Sequence, residues 1–522
     1  MVRRHHPISL PSSVATVLDD ALQRDPGREA LVGRSGRLSY AELDRRANES
    51  AHALAALGVE SGDRIAVSLP NDVDIVTAFH GAMRLGAIWV GVNRALAPPE
   101  MAHILRDTAA SVAIVEDAVA ESLRGDEGLP ALRRIVSGGS EGRRNEWARL
   151  VDRQDSTALG IAVDAFAPAA IAYTSGTTGR PKGVVHSQHN LLVPGAAVVA
   201  SRQYGPDLRK GDCLPLTILN LLALTTLLVA QAGGSCVIMD RIDADGVAAW
   251  IREERVNVWN GVPAILYDMV HGSTVSARDL ASLEDVWSGG ADCPESLLAA
   301  FNAKFAVPLR TTYGLTEAPS LVAIDPRGET HVPGASGIPL PHLAIEVRDE
   351  SGARLERGAS GEICIRAVDS GPWAGVYRPM LGSWRSGAIS DAPSDGVLCT
   401  GDIGWVDDSG YLHIEDRKSL LIIRGGANVY PAEVERVIME LPGVGACAVI
   451  GLPDPRLGQR VAAVVQRAPD GEVSAAAIVD HCQDSLARYK VPAEIVFVET
   501  FARNAMGKID RTALVELFDD RG

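Results

Sequence analysis

The chain has 522 residues, 46% of them hydrophobic and 22% charged, which excludes a disordered chain and allows about three or four domain-sized units. Its formal net charge of −16 argues against a nucleic-acid partner, whose affinity rests on cationic contacts to phosphate. An acidic protein that binds any anion must instead concentrate its cations locally.

No apolar run follows Arg3 and Arg4 before Asp19, so no signal peptide is expected. Residues 30–120 alternate apolar runs with amphipathic stretches. Strands are expected at 64–69, 87–92 and 112–115, and a helix at 73–85. A second series runs from about 169 to 310. It has strands at 169–172, 234–239 and 256–259, and a helix at 189–200. This alternation implies largely parallel sheets covered by helices. Residues 214–232 carry no charge and are rich in leucine. Pro215, Asn220 and several threonines favour a buried helix beside an apolar pocket over a membrane span.

From about 330 the runs shorten into a small β subdomain, with strands at 344–347, 362–365, 404–406 and 411–414. Asp408-Ser409-Gly410 is a hairpin turn between the last two. After Asp416 the alternation returns, with helices at 431–439 and 475–486 and strands at 444–450 and 461–465. The expected architecture is α/β. A large N-terminal domain (1–416) holds two α/β sheet subdomains and the β subdomain (about 330–416). A junction at 417–420 leads to a small α+β C-terminal part (421–522). The seven cysteines (Cys213, Cys236, Cys293, Cys364, Cys399, Cys447 and Cys482) form no Cys-x-x-Cys pair. Reduced thiols in a cytoplasmic protein are expected.

The densest motif is Tyr173-Thr174-Ser175-Gly176-Thr177-Thr178-Gly179-Arg180-Pro181-Lys182-Gly183. Small residues let a backbone turn tightly, and successive N–H groups in such a turn cradle an anion. The hydroxyls add donors, and Lys182 adds a point charge. It is not a Walker P-loop, because Pro181 precedes the lysine and Gly183 follows it. Further on stand Ser288-Gly289-Gly290-Ala291, Tyr313-Gly314-Leu315-Thr316-Glu317 after a strand at 308–312, Thr400-Gly401-Asp402, and Asp416-Arg417. Gly425-Gly426-Ala427-Asn428 and Met506-Gly507-Lys508-Ile509-Asp510-Arg511 complete the series.

Together these motifs resemble, in order and spacing, the signatures of the adenylate-forming (ANL) superfamily, in its acyl-CoA synthetase and fatty-acid–CoA ligase branch. The resemblance spans residues 173–511. It implies that residues 174–179 and Lys182 bind the ATP phosphates, and that Gly289, Gly290, Ala291, Tyr313 and Gly314 flank adenine. Thr316 would contact the α-phosphate and Glu317 would help hold Mg²⁺. Asp402 and Arg417 would take the ribose. Ser419 would be the hinge (417–420) about which a mobile C-terminal lid (421–522) turns, and Gly425 and Gly426 would line the coenzyme A tunnel. Lys508 would bridge the substrate carboxylate and the α-phosphate. Ile218, Asn220, Leu221, Gly289 and Gly314 would line the acyl pocket. Arg456 and Arg460 are candidates for the coenzyme A phosphate by charge alone.

The implied reaction activates a carboxylic acid with ATP to acyl-AMP and pyrophosphate, then transfers the acyl group to coenzyme A. Two departures bear on the transfer. The hinge, usually an acid or a lysine, is Ser419-Leu420, and the usual proline before the lysine motif is missing from residues 501–504. A second reading therefore passes the adenylate to a carrier protein or partner enzyme. A third, a non-catalytic nucleotide-binding relative, sits badly with Lys182, Glu317, Asp402, Arg417 and Lys508 all being present. No acid at 214–232 could pair an α-ammonium, so an amino-acid substrate is disfavoured. A hydrophobic acid, fatty or bulky alicyclic, is expected.

Overall fold

The structure is a computed structural model. It describes residues 13–124, 128–139, 145–174, 182–291, 293–385, 387–424, 427–469, 471–503, 509–511 and 513–519. The chain divides into two compact units. The first takes Met1–Val332, Ser336–Ile345 and Ile365–Leu398, and the second Pro333–Ala335, Glu346–Cys364 and Cys399–Gly522.

The first unit is built on two sheets. One has nine strands, ordered Ile338–Pro339, Ser320–Ile324, Leu309–Leu315, Asp285–Ser288, Val258–Gly261, Arg209–Asp212, Ser235–Ile238, Glu29–Gly33, Gly36–Ser39. The other has eight, ordered Ala388–Ser390, Gly382–Arg385, Lys182–Ser187, Pro168–Thr174, Ile88–Gly91, Arg64–Ser68, Val112–Val115, Arg134–Ser137. The central pairings of both are parallel, which requires helices on each face.

Helices Tyr40–Ala56, Val73–Leu85 and Gln188–Arg202 share one apolar core with both sheets. Ile65, Val67 and Trp89 enter it from the eight-stranded sheet, and Leu31, Ile238 and Trp287 from the other. Helices Ala244–Glu254 and Glu295–Phe305 cover the outer face of the nine-stranded sheet, and Pro98–Thr108 that of its counterpart. The segment after Leu214 is helical as expected. It runs as Leu219–Leu221, a π-helical stretch Leu222–Leu227, and Leu228–Ala232, ending at Gly233. Among the described residues no helix is long and apolar enough to cross a membrane.

The division between units falls within a four-stranded sheet ordered Leu343–Arg348, Gly361–Ala367, Leu398–Val406, Leu412–Arg417. The last two strands form the expected hairpin, with Val406 opposite Leu412. Cys364 and Cys399 form a disulfide. This corrects the expectation of reduced thiols throughout: their strands are neighbours in the sheet and set the two Cα atoms 4.1 Å apart. Cys213, Cys236, Cys447 and Cys482 are buried free thiols.

The rest of the second unit is a five-stranded sheet, in which Glu494–Val498 runs parallel beside Gly458–Arg467. Pro431–Met439 and Ala475–Ser485 are helices whose Val434, Ile438, Ile478 and Cys482 fill its core. Pro431 starts its helix where the missing N–H costs nothing.

Candidate active site

Pro168–Thr174 pairs antiparallel with Lys182–Ser187, Thr174 facing Lys182. Thr174 Oγ1 donates to the Lys182 carbonyl at 3.5 Å. The two ends of the glycine- and hydroxyl-rich segment are thereby held side by side. Ser175, Gly176, Thr177, Thr178 and Gly179 lie outside the described residues.

In the nine-stranded sheet, Asp285–Ser288 and Leu309–Leu315 are parallel neighbours, Ser288 facing Thr311. Gly289, Gly290 and Ala291 leave the first strand. Tyr313 and Gly314 end the second, and Thr316 and Glu317 follow it. The two groups thus meet at carboxyl ends of adjacent strands, where open α/β sheets bind ligands. A Cβ on Gly289 would collide with the Thr312 hydroxyl, which donates to the Ser288 carbonyl at 2.9 Å. The strand expected to stop near residue 312 continues through Tyr313 and Gly314. Leu315 pairs with Ser320, and a bulge lies between Tyr313 and Gly314. The tight turn is therefore at residues 316–319 and joins strand to strand.

His186 escaped the sequence reading. It lies on the strand that leaves the phosphate segment, and its Nε2 donates to the Thr316 carbonyl at 2.8 Å. It is fully buried, and burial pushes its pKa down to about 4, so the ring is neutral. This bond ties the Lys182–Ser187 strand to the Thr316 turn. The available signal was a polar ring within an otherwise apolar buried run, Val184-Val185-His186.

Arg209–Asp212 lies in the middle of the nine-stranded sheet, with Lys210 and Asp212 fully buried. Lys210 Nζ is 3.6 Å from Asp212 Oδ2 and 3.4 Å from Thr225 Oγ1, and it donates to Asn260 Oδ1. It also sits 5.5 Å from the centre of the Trp287 ring. Thr225 Oγ1 donates to Asp212 Oδ2 at 2.6 Å. Burial pulls the Lys210 ammonium below the usual lysine range, against the pull of Asp212. The pocket candidates Ile218 and Asn220 are half-buried and Leu221 is buried, on the segment that Thr225 fastens to this cluster.

In the second unit, Asp402 faces Arg417 across the Leu398–Val406 and Leu412–Arg417 hairpin. Arg417 Nε is 2.9 Å from Asp402 Oδ1, and Asp402 is buried while Arg417 is exposed. Thr400 Oγ1 accepts from the Asp402 N–H at 3.1 Å and donates to the Ile363 carbonyl at 2.8 Å. Asp416 accepts from the Arg417 N–H at 2.6 Å and from the Ala432 N–H at 2.8 Å. Burial raises its pKa.

Ser419 lies in the single turn Lys418–Leu420. Gly425, Gly426 and Lys508 lie outside the described residues. Beyond Lys508, Arg511 pairs with Glu435 at 2.7 Å and donates to the Val449 carbonyl at 2.6 Å. Arg460 is held by Glu494 at 2.7 Å. Among the described residues no group of three or more His, Cys, Asp or Glu side chains could hold a metal. The half-buried Glu317 carboxylate is a hard oxygen donor of the kind that shares Mg²⁺ with substrate phosphates.

The family model described as AMP-binding enzyme matches residues 18–370, and AMP-binding enzyme C-terminal domain matches 433–508. The long-chain-fatty-acid–CoA ligase FadD13 of Mycobacterium tuberculosis is 37% identical, over 92% of this chain and 93% of its own. The fatty acid–[acyl-carrier-protein] ligase ScoC of Streptomyces coeruleorubidus is 32% identical, over 99% and 98%. The crystal structure of ATP-bound MatB from Rhodopseudomonas palustris superimposes with a TM-score of 0.88 at 28% identity, covering 97% and 99%. The chain belongs to the AMP-binding enzyme family, and it is an AMP-forming acid–thiol ligase. Its α/β architecture, with a large N-terminal and a small C-terminal part, is that of the adenylate-forming superfamily.

Proposed function

We propose that this protein activates a hydrophobic carboxylic acid, fatty or bulky alicyclic, in the cytoplasm. A carboxylate oxygen attacks the α-phosphorus of ATP, pyrophosphate leaves, and acyl-AMP forms. The thiol of coenzyme A then attacks the acyl carbonyl, AMP leaves with the bridging oxygen, and the thiol proton passes to solvent.

The chain's residues position groups and neutralise charge. Residues 174–179 and Lys182 hold the phosphates. Gly289, Gly290, Ala291, Tyr313 and Gly314 form the adenine slot. Thr316 donates to the α-phosphate, and Glu317 would hold Mg²⁺, which offsets phosphate charge when bound. Asp402 and Arg417 take the ribose hydroxyls, and Lys508 steadies the charge growing between carboxylate and α-phosphate. Ser419, within a hinge at 417–420, separates residues 1–416 from 421–522. Gly425 and Gly426 line the path of the thiol.

The observation that carries this reading is the His186–Thr316 hydrogen bond of 2.8 Å, which brings the strand leaving the phosphate segment to the Tyr313–Glu317 motif. A charge-free segment at 214–232 supports an apolar acid. Mass spectrometry of products from a panel of acids with ATP, with and without coenzyme A, tests it. Acyl-CoA and AMP are expected. Acetate or an amino acid as best substrate would defeat the substrate assignment.

A second acceptor, a carrier protein, is favoured by Ser419-Leu420 at the hinge and by the likeness to ScoC. It predicts pyrophosphate exchange with little coenzyme A thioester.

A further inference from the structure

Two buried side-chain oxygens on the acid-binding segment, Thr217 Oγ1 and Asn220 Oδ1, have nothing to bond among the described residues. Thr217 is 3% exposed, and its hydroxyl has no hydrogen-bond partner among the described residues. Asn220 Oδ1 is likewise buried and without a partner. The remaining threonines are satisfied: Thr225 donates to Asp212 at 2.6 Å and Thr226 to the Leu222 carbonyl at 2.8 Å. A bare buried hydroxyl or amide is costly, and native proteins leave few of them. Two within four residues of a leucine-rich segment point to partners that arrive with a ligand.

The segment carrying this pair touches strands next to both motifs proposed to hold the nucleotide. The Thr217 carbonyl lies against Gly91, where a Cβ would collide with it. Gly91 ends a strand whose neighbour, Pro168–Thr174, leads into the phosphate segment. Asn71 Oδ1 accepts from the Leu216 N–H at 2.9 Å, and its amide donates to the Leu214 carbonyl at 2.9 Å, fixing the approach. Beyond Asn220 the stretch Leu222–Leu227 packs on Ser320–Ile324, the antiparallel partner of the strand bearing Tyr313 and Gly314. That stretch is π-helical, a form that recurs at functional sites. Lys210, the buried cation fastened to this segment through Thr225, is committed to Asp212, Thr225 and Asn260.

We infer that Thr217 and Asn220 read an oxygen substituent, a hydroxyl or carbonyl, on the body of the acid. The substrate is then a mainly apolar acid carrying that oxygen, and a bare hydrocarbon chain leaves both residues unpaired. This rests on the acid-activating reading above and narrows its substrate.

The test is pyrophosphate exchange by the full chain on matched pairs: octanoic and 8-hydroxyoctanoic acids, cyclohexanecarboxylic and 4-hydroxycyclohexanecarboxylic acids, 3-phenylpropanoic and 3-(4-hydroxyphenyl)propanoic acids. In at least one pair the hydroxylated acid should have roughly tenfold or greater advantage in kcat/KM. Asn220→Leu and Thr217→Val should erase that advantage, read as the ratio of kcat/KM between the two members of each pair. Both substitutions remove an unpaired polar atom, so each should raise the Tm of the ligand-free protein. A preference for the bare acid in every pair overturns the inference. So does equal loss on both members of a pair, or a lowered Tm, which would mean that protein or a bound water already holds these groups. Exchange without preference sinks this inference alone. No exchange with any acid sinks the acid-activating reading with it.

Discussion

The Ser320 carbonyl stands so close over Gly314 that a Cβ on Gly314 would overlap it. Ser320 is itself held at φ 118°, a region that favours glycine. Gly314→Ala should therefore lower stability by about 1–3 kcal/mol, the usual cost of overpacking, and disturb Tyr313 and Thr316 together. Ser320→Gly should relieve the strain and stabilise by roughly 1 kcal/mol. Thermal melts of both variants, read beside pyrophosphate exchange, check this. A Gly314→Ala protein with normal Tm and exchange would contradict it.

Asp402 and Arg417 form a cross-strand pair, proposed above to take the ribose. Losing one charged hydrogen-bonding group costs about 1.5–3 kcal/mol. Asp402→Asn should thus raise KM for ATP roughly 10- to 100-fold, while the KM for the acid moves little. Steady-state kinetics with each substrate varied separates the two.

Lys508→Ala should slow adenylation by roughly 100- to 1000-fold, the scale for removing one preorganised charge-stabilising group. Acyl-AMP supplied ready-made should still be consumed with coenzyme A. Equal loss in both half-reactions would reassign the lysine.

His331 bridges Asp325 at 2.8 Å and Glu295 at 2.9 Å. The Asp325 carboxylate, and then Glu295, lift its pKa to about 9. An unfolded histidine titrates near 6.5. Below that value both states hold the proton and the stabilisation is complete. As pH rises toward 9 only the folded state still holds it, so the contribution drains away and is gone above 9. Tm should fall between pH 6.5 and 9, with His331→Gln flattening that part of the profile.

The Lys210–Asp212 pair should behave non-additively. Lys210→Met alone strands a buried carboxylate and should cost about 3–5 kcal/mol. Combining it with Asp212→Leu should cost clearly less than the sum. A double-mutant cycle by denaturant unfolding measures the difference.

That same pair shows where reading the sequence fails. Helix 73–85, helix 431–439 and strand 112–115 were legible because each shows its own period or boundary residue. Arg209-Lys210-Gly211-Asp212 shows neither, and is not among the strands expected from the sequence. It becomes a central strand because Lys210 and Asp212 pair, Thr225, Asn260 and Trp287 lend them polar contacts from distant parts of the chain, and Glu29 and Glu254 hold Arg209. Tyr313-Gly314-Leu315 looks like a turn locally, yet pairing with Ser320–Ile324 extends it as strand. The enzyme family was legible from motif density. His186 was not, because its role depends on a carbonyl 130 positions away. Cys364 and Cys399 are 35 residues apart, and only the sheet order makes them neighbours.

The second unit is assembled from separate stretches, with Glu346–Cys364 entering it before the chain returns at Cys399. An expression fragment starting at residue 399 would lack the strand Gly361–Ala367 that borders Leu398–Val406, and with it the Cys364 partner of Cys399. Such a fragment would present an unpaired sheet edge and a lone thiol, the ingredients of aggregation. A proteolytic cut between 365 and 398 would still leave the disulfide to hold the two pieces covalently together.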